Sequence, residues 1–565
     1  MSEAGIGPGR DWRPARGVLG AGVLAWALVV GLGLGSLVAL LVNAPVVALD
    51  TLWRDPYLSG VLRFSLLQAG LSTLLSVVPA IPVAVALARR PRFPGRRLLL
   101  RAMELSLVIP TLIALFGLVA VHGRQGWLST LWRELSGDPL GYLYGLSGIV
   151  LAHVFYNLPL AARLLLQGLE RQPEAQWRLV AQFGLTRHAI WRCLEWPVIR
   201  RLLPRLMALV FTLCFSSFAI VMTLGGGPGA TTLEVALYQA LTYEGDLARA
   251  ALLALTQLAV CLSLWALALR RGGGTPLLAS GDAARPVGRW RRRDARGVSR
   301  LVDGAWLTVL AALLLPPLAA VVIAGARGLP ALPGQAALWP ATLLSLAMAL
   351  AAALGALTLA LALVGAAQRW RRRGHALPAG VLEGGGQLIL ILPAMVLGTG
   401  LFLLLRPGLG GDWQSYALVA LVNALMALPF VMQVLQDGVA LPVGNARRLA
   451  DQLGVRGWAY WRWLIWPRLK RPMGLALAYA MTLSLGDFSV IALFGSPSRP
   501  TLPMLLYQQL GGYRWQGAAA TALVLLLVVV VVFALLERLS RRRPRYPQSR
   551  YWPTSRGNGL ESDHA

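Results

Sequence analysis

The sequence predicts an all-α polytopic membrane protein of about twelve transmembrane helices, arranged as two parallel six-helix repeats. Three observations carry the prediction: charge is sparse, apolar runs recur at bilayer-spanning length, and the chain resembles itself at an offset of 270 residues. Of 565 residues, 56% are hydrophobic and only 14% are charged, where a soluble domain carries about a quarter. Mean hydropathy is +0.61. The net charge of +29 does not point to nucleic acid, because the basic residues collect at the ends of apolar runs and not on one soluble face.

A helix needs about 20 apolar residues to cross a bilayer. Such runs fall at 17–42, 60–88, 102–122, 145–165, 202–224, 247–269, 304–325, 340–366, 386–405, 415–435, 473–494 and 517–536. Helix is required, since lipid offers no partner to backbone N–H and C=O groups and the alternation of a β-barrel is absent. The N-terminal run is too long for a signal-peptide core and reads as a retained first span.

Charge sets the expected orientation. Of the 53 Lys and Arg residues, 44 fall in segments 1–16, 89–101, 163–205, 270–300, 369–373, 447–471 and 538–556. These are the two termini and alternate gaps between runs, so the positive-inside rule places both termini in the cytoplasm of a bacterial inner-membrane protein. Residues 1–16 then form a cytoplasmic N-terminus, 17–269 and 304–536 the two halves, 270–303 a cytoplasmic linker, and 537–565 a disordered cytoplasmic tail. Trp127, Trp132, Tyr142, Tyr144 and Trp413 sit near run ends, where interfacial anchors belong. Cys193, Cys214 and Cys261 lack metal-ligand spacing and read as inert small residues.

The repeat is clearest in a polar loop. Arg178, Leu179, Gln182 and Gly184 recur as Arg448, Leu449, Gln452 and Gly454, and Trp191, Arg192, Leu194, Trp196 and Pro197 as Trp461, Arg462, Leu464, Trp466 and Pro467. Leu158-Pro159 and Gly168 recur as Leu428-Pro429 and Gly438. The register then slips by one, so that Thr232-Leu233 and Leu237-Tyr238-Gln239 match Thr501-Leu502 and Leu506-Tyr507-Gln508. Chance among Leu-rich segments does not match Trp, Arg, Gly and Pro. With six spans each, the halves share one orientation and relate by an axis along the membrane normal.

Each loop reads as a short helix, a glycine, a second helix and a proline. Leu179 and Phe183 share a face, as do Leu449 and Leu453. Gly184 and Gly454 stand where a helix ends and φ turns positive, and Pro197 and Pro467 are expected to break the second helix. The spacing of Gly and Pro resembles the coupling loop of ABC importer permeases, though the family's Glu-Ala-Ala is replaced by Arg178-Leu179-Val180 and Arg448-Leu449-Ala450. The resemblance implies that these loops dock on a cytoplasmic ATPase and transmit its closure.

No Gly-x-x-x-x-Gly-Lys-Ser/Thr occurs, and Lys470 is the only lysine, so ATP hydrolysis is assigned to another chain. Gly225-Gly226-Gly227-Pro228 reads as a tight turn after the fifth span. The sequence offers no metal or cofactor motif and no catalytic cluster, so the chain is read as a transport subunit and not an enzyme. A twelve-span secondary transporter would share the two parallel halves, but has no reason to repeat the Gly–Pro loop.

Gly123-Arg124-Gln125-Gly126-Trp127, Ala152 to Pro159 (Ala-His-Val-Phe-Tyr-Asn-Leu-Pro), Gly225 to Thr232, Ser484-Leu485-Gly486-Asp487-Phe488 and Gly511-Gly512-Tyr513-Arg514 resemble the permeases of thiamine and thiamine pyrophosphate ABC importers. That implies a periplasmic thiamine-binding protein and a homodimer of ATPase subunits as partners. Fused permeases of ferric-iron or other small-solute importers are the alternative.

Asp487 is a carboxylate inside a span, which is costly and marks a functional candidate. Thiamine carries a fixed positive charge, so Asp487, Ser217 at its repeat position, and the matched Phe218 and Phe488 are the candidate substrate path. Capping of a broken helix or an ion pair is the competing reading of Asp487, and plain packing that of the two phenylalanines. His153 and Asn157 are expected to make interhelical hydrogen bonds, and Glu104 to pair with Arg97 or Arg101.

Overall fold

The computed structural model describes residues 16–43, 54–138, 141–271, 298–405, 412–438, 450, 452–455 and 457–541. Segments 1–15, 272–297 and 542–565, which cover most of the predicted termini and linker, lie outside the described residues. The described residues are helical throughout and contain no strand.

In the first half the chain runs through α1 (Arg16–Asn43), α2 (Pro56–Arg89), α3 (Arg96–Val108), α4 (Thr111–His122), α5 (Trp127–Ser136), α6 (Leu146–Glu170), α7 (Glu174–Gln182), α8 (Arg187–Ile190), α9 (Trp196–Phe215), α10 (Phe218–Leu224), α11 (Leu233–Gln239) and α12 (Leu247–Arg271). The second half follows the same order, with no counterpart of α5 or α7 among the described residues: α13 (Val298–Gly328), α14 (Leu338–Arg372), α15 (Ala376–Gln387), α16 (Ala394–Leu405), α17 (Asp412–Gly438), α18 (Gly457–Tyr460), α19 (Trp466–Gly486), α20 (Ser489–Phe494), α21 (Leu502–Gly511) and α22 (Trp515–Arg541). Helix α13 begins at Val298, so the end of the 270–303 segment is already helix.

Among the described residues, eight helices are long and apolar enough to cross a membrane: α1, α2, α6, α12, α13, α14, α17 and α22. The other four apolar runs, the third and fifth of each half, are interrupted. In the third, α3 stops before Pro110, and the stretch following α15 tightens and stops before Pro393. Proline lacks an N–H and pushes the residue before it to extended backbone; Ile109 (ψ 129°) and Leu392 (ψ 117°) obey. In the fifth, α9 and α10 meet at a bend of 50°, and the break recurs at the matched position between α19 and α20.

The first helix of each half packs on the other half. Helix α1 lies against α14, α15 and α16, while α13 lies against α2 and α4. Glycine permits the closest of these approaches. A Cβ on Gly117 of α4 would stand 2.5 Å from the Pro317 carbonyl oxygen of α13, and one on Gly400 of α16 would stand 2.5 Å from the Ser36 carbonyl oxygen of α1. With little hydrophobic drive between helices in lipid, such small-residue contacts carry association.

Helices α11 and α21 fold back between the fifth and sixth runs. Their first N–H groups have no partner within the helix, and a serine from the second helix of each half supplies one. The Leu233 N–H donates to Ser65 Oγ (2.9 Å) and the Leu502 N–H donates to Ser345 Oγ (2.8 Å). The outer faces of the bundle expose Leu24, Val42, Leu343, Val531 and Leu535, an apolar exterior that suits lipid and not water.

Candidate functional sites

At the arginine-rich end of the bundle, each half presents the predicted helix–glycine–helix loop. Trp177 and Val180 of α7 and Ile190 of α8 make a small core of their own, with Leu185 and Leu194 against it. The apolar residues left over point outward: Leu179 is 51% and Phe183 73% exposed, and in the second loop Leu453 is 68% exposed. Arg178, Gln182 and Gln452 are also exposed, whereas Arg448 and Leu449 lie outside the described residues.

The turn between the two helices is the same in both copies. Gly184 has φ +55° and Gly454 φ +64°. The Leu185 N–H donates to the Val180 carbonyl (3.3 Å) and the Val455 N–H to the Ala450 carbonyl (2.9 Å). This is the Schellman closure of a helix end, in which a left-handed residue lets the chain turn back while orphan carbonyls are satisfied. The Leu185–Val180 contact supplies the apolar pair that accompanies it.

The prolines act differently from the expectation. Pro197 and Pro467 do not break the second helix. A π-helical turn, Trp191–Glu195 in one half and Trp461–Ile465 in the other, precedes each, and the helix runs on through the proline. The wider turn absorbs the missing hydrogen bond and the bulk of the ring, so that α8, the π-turn and α9 form one rod from Arg187 to Phe215.

The second site lies where the two halves meet. Phe218 and Phe488, at matched repeat positions, stack across the junction with ring centroids 5.7 Å apart. Tyr238 of α11 lies against Phe218 (5.1 Å) and Tyr507 of α21 against Phe488 (4.8 Å), which makes a four-ring row with the same symmetry. Both phenylalanines are buried, so the row fills the junction between the halves. Beside it, a polar residue of the fourth helix holds the broken fifth run. His153 bonds Ser217 Oγ through Nε2 (2.6 Å) and Ser72 Oγ through Nδ1 (2.9 Å). At the same position in the second half, the Asn423 amide donates to Ser484 Oγ (3.1 Å).

Asp487 accepts from the Ser489 N–H (3.2 Å) and so caps α20; its carboxylate borders a small void shared with Asn423, Ser484 and Thr501. A second carboxylate, Glu234 on α11, is fully buried, accepts from Gln257 Nε2 (2.6 Å) and lies within electrostatic reach of Asp487. Aromatic faces with carboxylates nearby in a low-dielectric site suit an organic cation.

Residues 80–271 match the family described as binding-protein-dependent transport system inner membrane component. Across nearly the whole length, the chain is 46% identical to the thiamine transport system permease protein ThiP of Salmonella typhimurium (92% of this chain, 96% of the relative). It is 46% identical to that of Escherichia coli (92% and 96%) and 42% identical to that of Brucella abortus (89% and 92%). The chain belongs to this permease family. The permease is thus a multi-pass inner-membrane transport subunit, with no catalysis of its own.

The structure brings Ser217, Phe218, Asp487 and Phe488 to one junction, and it makes Asp487 a helix cap as well as a candidate for the path. Asn157 meets Cys214 across helices, and His153 its two serines, as expected. Glu104 pairs with Arg163 of α6 (3.1 Å) and with neither Arg97 nor Arg101 in any ion pair seen among the described residues; both groups are exposed and reach sideways to the neighbouring helix. Sequence reading passed over Glu234, Tyr238 and Tyr507. The repeated Leu-Tyr-Gln phrase carried the signal for the tyrosines, whereas nothing in the sequence set the depth of Glu234.

Proposed function

We propose that this permease carries thiamine into the cytoplasm, received from a periplasmic binding protein and driven by a homodimeric cytoplasmic ATPase. The observation that carries this reading is identity of 42–46% to thiamine transport permeases over about nine-tenths of the chain. Two loops with the same Schellman turn and outward apolar residues support a pair of ATPase subunits, one per loop. In this reading Arg178, Leu179, Gln182, Gly184 and Pro197, with Arg448, Leu449, Gln452, Gly454 and Pro467, form the coupling loops. The chain crosses the membrane twelve times, with the four interrupted runs counted as crossings and both termini in the cytoplasm.

The path runs through the junction of the halves, past Ser217, Phe218, Asp487 and Phe488. The phenylalanine pair closes it at rest and parts when the halves move. The aromatic faces receive the thiazolium, and Asp487, with Glu234 nearby, lowers the cost of holding a fixed cation away from water. Fewer strong partners favour release as well as entry.

Uptake of radiolabelled thiamine tests the reading, in cells lacking their own importer and supplied with the permease, ATPase and binding protein. Uptake that requires all three chains and ATP is expected. Normal expression without thiamine uptake, but with uptake of ferric iron, sinks the assignment in favour of the ferric-iron alternative.

A further inference from the structure

Among the described residues, charge ties the first-half loop to the membrane domain. Glu195, in the π-turn, is buried, and Arg89 at the last turn of α2 grips it through both guanidinium nitrogens, Nε at 3.2 Å from Oε1. The next residue, Arg90, donates through Nε to Asp303 Oδ2 (3.0 Å), and Arg187 at the start of α8 approaches the other oxygen of Asp303 (3.9 Å). Asp303 is buried in the opening turns of α13, the first helix of the second half. Two carboxylates and three arginines therefore join three elements: the end of α2, the coupling rod α8–α9, and the helix that crosses over from the other half.

Among the described residues the second half shows no copy of this network. At the repeat offset of 270, Glu195 is matched by Ile465 and Arg187 by Gly457. A cavity of about 570 Å³ opens beside the network, lined by Arg89, Arg187, His188, Trp191, Asp303 and Trp306. It gives the rod room to shift, and the long Arg187–Asp303 contact is the one that a small shift tightens.

We propose that Glu195 and Asp303 are positioning residues that convert movement of the first coupling loop into movement of α2 and α13, so that the two ATPase strokes are read unequally. The proposal rests on the coupling reading above. A push on the loop displaces Glu195 and Arg187 together. Buried ions do not part readily from their partners, so α2 follows through Arg89 and α13 through Asp303. Helix α2 carries Ser65, which holds α11 and its Tyr238 in the aromatic row. The movement thereby reaches the junction through contacts that the second half makes without ions.

The test uses the full permease co-expressed with its ATPase subunit and reconstituted in vesicles with the binding protein. ATP hydrolysis and labelled-thiamine uptake are measured on the same preparation. Glu195→Gln and Asp303→Asn remove charge with little change of shape. Arg187→Gln alters a half-exposed residue, and Arg89→Glu with Glu195→Arg exchanges the signs of the one pair that shares no third charge. Each single variant is expected to co-purify with the ATPase at wild-type yield, to keep its hydrolysis, and to import at least about fivefold less per ATP, the lower end of site-to-site coupling. The exchanged pair should recover most of the loss. A ratio of import to hydrolysis unchanged in Arg187→Gln and Asp303→Asn overturns the proposal, as does an exchanged pair that assembles normally yet stays uncoupled. If Glu195→Gln fails to assemble, the exposed Arg187→Gln and the exchanged pair still decide. Failure of the underlying coupling reading looks different, because the unaltered permease then neither captures the ATPase nor couples to it.

Discussion

Single residues carry the turn of each proposed coupling loop and the charge at the junction. Gly184 and Gly454 meet nothing within 4 Å where a Cβ would stand, so space is not what requires glycine there; φ of +55° and +64° is. A β-branched residue in that region costs about 1–2 kcal/mol. Gly184→Val with Gly454→Val should therefore leave expression intact and uncouple hydrolysis from uptake, and full uptake by the double variant removes the coupling role. Asp487 calls for a different argument. Asn keeps an oxygen for the Ser489 N–H and loses the charge, so Asp487→Asn should accumulate normally. It should import thiamine about 5–30-fold more slowly, for a loss of about 1–2 kcal/mol of attraction to the cation. Poor accumulation makes Asp487 structural only, and normal uptake removes both roles. Asp487 was legible in the sequence because it interrupts an apolar run. Glu234 was not, because it sits in a short fold-back segment whose depth only the Ser65 contact with α11 reveals.

Among the elements, long continuous helices were legible and broken ones were not. Hydropathy averages over about 19 residues, so a two-residue interruption at Ile109–Pro110 or Ser216–Ser217 leaves the sum untouched. The prolines were read too simply as well: Pro110 and Pro393 end helices, whereas Pro197 and Pro467 follow π-turns that carry the rod onward. Once the breaks are seen, a second repeat appears. Pro110 and Gly117 recur as Pro393 and Gly400, each proline seven residues ahead of the contact with the crossing helix. Those contacts make an element-scale prediction. Gly117→Leu forces bulk into a gap where even a Cβ would lie 2.5 Å from the Pro317 carbonyl, and overpacking of this kind costs about 1–3 kcal/mol. The detergent-solubilised variant should melt at lower temperature. Gly70→Ala on α2 meets nothing within 4 Å and should melt no lower, since alanine is favoured over glycine in a helix by up to about 1 kcal/mol. Equal melting of the two variants removes the claim that α13 is seated by close backbone contact.

For the whole molecule, two-fold repetition and local asymmetry divide the work. The aromatic row, the serine caps on α11 and α21 and the Schellman turns obey the repeat, whereas Glu234, Asp487 and the Arg89–Glu195 and Arg90–Asp303 pairs do not. Orientation is the property that all of these assignments share. Of 53 basic residues, 44 belong to segments expected on one side, the side that also holds the two proposed coupling loops. The energetic reason for the proposed orientation is that translocating arginine-rich short loops is disfavoured. The linker between the halves is the sharpest place to test it, since the proposed topology sets it between two even-numbered sets of crossings. In a variant with Cys193→Ser and Arg285→Cys, Cys214 and Cys261 stay buried. A membrane-impermeant maleimide should then leave intact spheroplasts unlabelled and modify position 285 once the membrane is opened. Labelling in intact spheroplasts would reverse the assigned sides. It would place both coupling loops away from the only compartment that holds ATP, and the importer reading would fall with the topology.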